Sequence, residues 1–227
     1  MVSIKELLGS KEIFKGLRSP TRAIIYLLAP LFPKMLRFDL DLYDYPWYAY
    51  CLLESAKLAR RLNIFRTSAI EFGVAGGRGL IQLEKISHIV TDITKVKIDI
   101  YGFDLKTGLP RPKDYKDMPY NWKKGFFRMN VENLKRKIKN AKLILGDVKK
   151  TVPEFFKKFN PAPIGFVSFD LDLYSSTANK KICLINGLGH RRIIDAAWCY
   201  QAYMLHIFNH PLYNAYVYAQ DDIQMPI

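Results

Sequence analysis

Five acidic residues and a run of glycines are where this sequence could do chemistry. Glu71 closes the apolar run "TSAIEF" and is followed by Gly73, Gly76, Gly77 and Gly79, four glycines in seven positions. Asp104 closes "VKIDIYGFD", Asp147 follows "AKLILG", and Asp170 and Asp172 close "PIGFVSFDLD". Glycine lets a backbone bend sharply and lets a ligand approach with no Cβ in the way. A carboxylate just ahead of such a turn repels a phosphate and favours a cation. Two acids one residue apart on a pleated strand point the same way, and their charges repel unless a cation or a donor lies between them.

Elements must bring these residues together. Residues 46–62 carry a helical pattern in which Trp47, Tyr50, Cys51, Ala56 and Ala59 can share a face, with Lys57, Arg60 and Arg61 near the end where cations suit the helix dipole. Strands are expected near 67–72, 97–103, 142–146 and 164–170, and helices over 77–90, 131–139 and 152–159. The alternation predicts an α/β fold: a doubly wound, mainly parallel sheet with helices on both faces. Residues 105–128 form a Pro/Gly/aromatic connection longer than most, which is expected to be functional or partly ordered. No internal repeat or low-complexity tract is present. In such sheets ligands bind outside the carboxyl ends of the strands, where all five acids fall.

Two cofactor classes use a glycine-rich first turn. Dinucleotide enzymes want G-x-G-x-x-G and an acid about 20 residues later. Here the spacing from Gly73 is G-x-x-G-G-x-G, and Asp104 comes 31 residues after Gly73. The E-x-G-x-x-x-G pattern of Glu71, Gly73 and Gly77 instead resembles motif I of the class I S-adenosylmethionine-dependent methyltransferases. "EFGVAGG", "FDLKTGLP", "GDVKKTVPEF" and "FDLDLYSST" together look like the branch that includes the macrocin O-methyltransferases. The resemblance covers roughly residues 46 to 177.

This resemblance implies a Rossmann-like fold binding S-adenosylmethionine through Glu71, Gly73, Gly76, Gly77, Asp104 and Asp147. Asp104 would meet the ribose and Asp147 the adenine. It further implies catalytic acids at Asp170 and Asp172, with Tyr174 as another candidate to take a proton, and a hydroxylated small-molecule acceptor such as a sugar. Some members use magnesium, which Asp170, Asp221 and Asp222 would hold. Purely structural roles stand beside these. The glycine turn could serve packing alone, Asp104 could cap a turn, and Asp147 could be the N-cap of the next helix.

The end of the chain departs from the pattern. "ANKKICLINGLGHRRIIDAAW" matches no expected element, while "NAYVYAQDDI" reads as a fifth strand over 214–219 closed by Asp221 and Asp222. The strand order expected is then 3-2-1-4-5. The alternative puts strand five at "RRIIDAA", with Asp195 as its acid. The last strands of a full member are expected to be missing, which leaves room for impaired activity or for a homo-oligomer that completes the sheet.

Composition bounds the rest. The chain has 227 residues and a net charge of +14. Between Lys106 and Lys158 stand 16 Lys/Arg against 5 Asp/Glu. Such a face suits nucleic acid, an anionic membrane surface or a phosphorylated substrate, or is simply solvated. Nucleic-acid methyltransferases directed at amino groups carry a D/N-P-P-Y stretch where this chain has "DLDL", which counts against them. A catalytically impaired cofactor-binding protein or basic scaffold is a further reading. Cys51, Cys183 and Cys199 form no C-x-x-C pair, which argues against a zinc site and points to a reducing, cytoplasmic compartment. "AIIYLLAPLF", residues 23–32, is too short to span a bilayer, which takes about 20 residues. With Arg18, Arg22, Lys34 and Arg37 around it, it could lie on a membrane surface or pack on its own domain. Residues 1–45 are expected as a helical extension and 46–227 as the methyltransferase-like domain.

Overall fold

In the computed structural model, which describes residues 19–176, helical and extended segments alternate as the sequence pattern requires. The elements run α1 (Ser19–Leu28), α2 (Lys34–Asp39), α3 (Pro46–Arg61), β1 (Arg66–Phe72), α4 (Arg78–Thr94), β2 (Lys97–Asp104), α5 (Val131–Lys137), β3 (Lys142–Leu145), α6 (Val148–Phe159) and β4 (Ile164–Phe169). Short 3-10 turns follow α1 at Ala29–Leu31 and interrupt the long connection at Tyr115–Asp117. The four strands lie in the order β3-β2-β1-β4, every pairing parallel. This is the expected order for strands one to four; the expected fifth strand at 214–219 lies outside the described residues.

The central strand β1 is buried from Thr67 to Phe72. Its two faces serve different layers, because successive side chains point to opposite sides. Ile70 and Phe72 face α6, packing with Tyr101, Phe103, Phe155 and Val167. Ala69 faces the other way, into the larger cluster built by α3 and α4 with Phe166 and Ile100. Glu71 has the parity of Ala69, and Ser168 that of Phe166; the two are register partners on β1 and β4. Strand alternation therefore directs a carboxyl and a hydroxyl beneath α3.

Three expectations change. In α3, Tyr50 is 44% exposed, whereas its neighbour Tyr48 is 2% exposed. The helix lies on both α4 and the sheet, so it buries a broader arc than one stripe, and Tyr48 is in that arc. Strand β4 ends at Phe169, so Asp170 and Asp172 lie beyond it. Asp172 has φ of 44°, so the pair does not follow the pleat that would aim both side chains one way. Helix α6 starts at Val148, earlier than expected, because Asp147 caps it and its side chain accepts from Lys149 N–H at 3.0 Å.

From Ile24 onward the 23–32 segment leaves most of its apolar residues exposed, with Ile25 and Phe32 half-buried. Ile24, Leu27, Leu28 and Leu31 are all exposed, and only Ala29 is buried among its residues from Ile24 onward. Among the described residues no helix is long and apolar enough to cross a membrane.

Candidate functional site

The turn from β1 to α4 is built from conformations that few side chains accept. Gly73 has φ of 90°, and a Cβ there would collide with the Asp170 backbone carbonyl. The crowding follows from pairing: Asp170 N–H donates to Phe72 O at 2.8 Å, and Gly73 N–H donates to Phe103 O at 2.9 Å. Gly73 is thus held between the ends of β2 and β4. Gly77, at φ of 82°, begins α4, and a Cβ on it would strike the Leu134 side chain. Between them Ala75 adopts φ of 47°, an uncommon region for a residue with a side chain. Gly76 differs, since a Cβ there would meet nothing within 4 Å.

Asp104 holds this turn. Its Oδ2 accepts from Val74 N–H at 3.0 Å and Ala75 N–H at 2.9 Å, and its Oδ1 accepts from Lys106 N–H at 2.6 Å. Its carbonyl accepts from Gly146 N–H at 2.9 Å, which draws in the β3 end beside Asp147. The strained Ala75 backbone is therefore stabilised by a charged acceptor from a neighbouring strand. The turn-capping role expected of Asp104 is present, and it spans two strands rather than one local turn.

Glu71 sits below the turn and is only 2% exposed. Tyr48 Oη donates to its Oε1 at 2.9 Å and lies 2.9 Å from Ser168 Oγ. A Cβ on Gly79 would run into Oε1, so the fourth glycine makes room for this carboxyl. Glu71 Oε2 is buried with no hydrogen-bond partner among the described residues. Burial pushes the Glu71 carboxyl up to about 8; the Tyr48 hydrogen bond pulls against that, while Asp170 and Asp104 add to it. Burial, with Glu71 beside it, likewise raises the Tyr48 hydroxyl. The Glu71 carboxyl is therefore harder to ionise in the ligand-free fold than an ordinary glutamate. Sequence reasoning missed Tyr48, Ser168 and Gly79. Gly79 was visible as the fourth glycine, whereas nothing local marks Tyr48 or Ser168.

Asp170 and Asp172 lie at the β4 end, next to Gly73. Both residues are exposed, yet the surrounding protein removes enough water to raise each carboxyl, with Asp170 further raising Asp172. Neither carboxyl makes a hydrogen bond among the described residues. The two acids are thus close enough to feel each other. The long 105–130 connection is tied to the same edge. It closes on itself through Leu109 N–H to Phe126 O at 2.8 Å and Met129 N–H to Lys106 O at 3.1 Å. Its Asp117, fully buried, accepts from Ser175 N–H and Ser175 Oγ, both at 2.7 Å, and from Lys113 N–H at 2.8 Å. Burial opposes the Asp117 charge, but those donors outweigh it and hold its carboxyl below the usual range. Lys116 lies 5.5 Å from the Tyr174 ring centre, so Tyr174 packs against the connection.

The expected metal partners Asp221 and Asp222 lie outside the described residues, as does Asp195. Among the described residues no group of three or more His, Cys, Asp or Glu side chains is arranged to hold a metal. A groove of about 490 Å³ opens at the other edge of the sheet, lined by Arg66, Asp99, Tyr101, Lys142, Phe159 and Pro163. It lies at the amino ends of the strands, away from the five acids.

A parallel α/β sheet with a strained glycine turn at the carboxyl end of its central strand defines a Rossmann-like protein with a ligand edge. Among solved structures the chain is similar to CalS11, a calicheamicin methyltransferase, with a TM-score of 0.50 and 23% identity over 87% of this chain and 77% of that one. A second structure, apo CalS11, is described as a TDP-rhamnose 3'-O-methyltransferase; it aligns at a TM-score of 0.38 and 20% identity over 82% and 72% of the chains, a likeness too slight to weigh. At these identities the first likeness establishes a shared fold. No protein-family model and no curated protein matches the chain.

Proposed function

We propose that this protein is an S-adenosylmethionine-dependent O-methyltransferase acting on a hydroxylated, sugar-like small molecule. The observation that carries the reading is the β1–α4 turn: a backbone forced into left-handed conformations, held by Asp104, with Gly76 open to its surroundings and an unsatisfied buried carboxyl oxygen beneath. These features fit a cationic cofactor that lies close against backbone. The likeness in fold to a methyltransferase supports the same assignment.

S-adenosylmethionine supplies a methyl group already activated on a sulfonium, so catalysis needs mainly orientation. The protein's own groups are suited to it. Backbone N–H groups at the start of α4, where Gly77 offers no side-chain cap, can donate to a ligand carboxylate. Asp104 keeps acceptor capacity on its carboxylate for a ribose hydroxyl. The Asp172 carboxylate accepts the proton of the acceptor hydroxyl, and its raised pKa makes it a better base than an ordinary aspartate. Asp170 sustains that shift. Magnesium stays an expectation, because two of its three ligands lie outside the described residues, and no step is routed through it. The 105–130 connection, tied through Asp117 to Ser175, is the part that would select the acceptor.

Titration calorimetry with S-adenosylhomocysteine tests the cofactor, and transfer of a labelled methyl group to a panel of free and nucleotide-linked sugars tests the reaction. Binding is expected in the micromolar range or tighter. Absence of binding would end the assignment, and binding without transfer to any hydroxyl would favour a cofactor-binding protein without catalysis.

A further inference from the structure

The buried chain from Ser168 through Tyr48 to Glu71 has a direction. Tyr48 donates its one hydroxyl proton to Glu71 Oε1, so the 2.9 Å contact with Ser168 is donated by Ser168. Both donors run toward the carboxyl, an arrangement that supports a carboxylate. The remaining oxygen has no such support: Oε2 is buried without a hydrogen-bond partner among the described residues. Apart from Tyr48, whose hydrogen bond favours the carboxylate, the charged neighbours from the packed elements work against ionisation. Asp104, closing β2, and Asp170, after β4, each oppose a negative charge on Glu71. Tyr45, just ahead of α3, and Arg78, opening α4, act on each other, and Tyr45 also feels Glu71. The site is thus organised for an anion, and no cation among the described residues is placed to stabilise it. Its place under the glycine turn is next to where a ligand would lie.

We propose that Tyr48 and Ser168 are positioning residues of the cofactor site, holding Glu71 so that a ligand bearing an ammonium group binds in exchange for the Glu71 proton. The Oε2–H bond breaks, the proton leaves to solvent, and the ligand's positive charge takes its place. No other bond changes and no electron moves. The inference rests on the cofactor reading above and adds to it a proton count and two residues from outside the glycine turn. Tyr48→Phe tests the chain, because the ring and its edge contact with Phe166 at 5.3 Å are retained while the donor is lost.

The experiment is calorimetry of the full chain with S-adenosylhomocysteine, which carries the ammonium, in buffers of different ionisation enthalpy at pH 6, 7 and 9. The unmodified protein is expected to release about one proton per ligand at pH 7 and little at pH 9. Tyr48→Phe is expected to bind roughly ten- to hundredfold more weakly at pH 7. It should regain affinity as pH rises, because the carboxylate has lost a donor and ionises later. A purely structural role for Tyr48 would lower affinity equally at every pH, and that outcome would overturn its part in the chain. Binding with no proton release at pH 7 would overturn the exchange while leaving the cofactor reading intact. Failure of the unmodified protein to bind at any pH would overturn both. The buffer series on the unmodified chain decides the exchange even if a variant does not fold.

Discussion

The carboxyl ends of β1 and β4 are neighbours, joined by Asp170 N–H to Phe72 O, yet they are built in opposite ways. At the β1 end nearly every polar group is committed. Asp104 binds three amides, Tyr48 and Ser168 serve Glu71, and Gly73 is locked between two strands. At the β4 end Asp170 and Asp172 are exposed, their carboxyls make no hydrogen bond among the described residues, and burial raises both, with Asp170 further raising Asp172. The difference separates shape from chemistry. A turn that must present backbone to a ligand has to be rigid before the ligand arrives, so its acids are spent on backbone. Acids that must exchange protons have to stay accessible and unpaired. In the proposed function the two acids after β4 would depend on the rigidity next door.

The comparison breaks most visibly at Gly73. Gly73→Ala adds a Cβ into the Asp170 carbonyl at a φ that side chains resist, and both clashing groups are backbone. Destabilisation on the order of 4 kcal/mol or outright misfolding is expected, read by urea unfolding. A well-folded variant with normal stability would show that the two strand ends are not locked together.

The pH dependence of stability probes the same end. The folded Glu71 carboxyl lies near 8 against an ordinary 4.5, so the folded state binds a proton that the unfolded state has released between those values. Its contribution is fully present below about pH 4.5 and is lost as pH rises toward 8. Glu71→Gln should remove that slope, so the variant gains on the unmodified protein between pH 5 and 9. Parallel profiles for the two proteins in urea midpoints at pH 5, 7 and 9 would contradict it.

Asp104→Ala strips the acceptor from three amides and should cost about 1.5–3 kcal/mol. Cofactor affinity should fall with it, because Val74 and Ala75 lose their anchor. Intact stability with lost affinity would instead mean that Asp104 serves the ligand and not the turn. Asp117→Ala removes the acceptor shared by the Ser175 and Lys113 donors and should cost about 1–3 kcal/mol. Its sharper sign is faster proteolytic cutting within 105–130, with the sheet still folded. The smallest effect is expected at Gly76. Gly76→Ala faces open space and should change stability by no more than about 0.5 kcal/mol. Its readout is ligand affinity, which falls if the cofactor approaches that backbone and is unmoved if it does not.

Much of this was legible in the sequence, and the reason is local. Apolar runs of strand length and the glycines after "AIEF" specify β1 and its turn within a dozen residues. Alternation with helices makes the sheet parallel, because each crossover must pass over a face, and the order β3-β2-β1-β4 follows. Asp147 announced its N-cap role by standing just ahead of a helix. Other features depend on residues far apart in the chain. Tyr48 points inward because α3 is pressed between α4 and the sheet, and a single helical stripe underestimates what such a helix buries. Asp104 finds Val74 and Ala75 about 30 positions away, and Asp117 finds Ser175 58 positions away. Hydrophobic period is set by the backbone's own geometry and survives in any window of sequence. The partner of a polar side chain is set by which distant segments the closed sheet brings within about 3 Å, so Glu71 was readable as an acid but its burial and its Tyr48 partner were decided only by the fold.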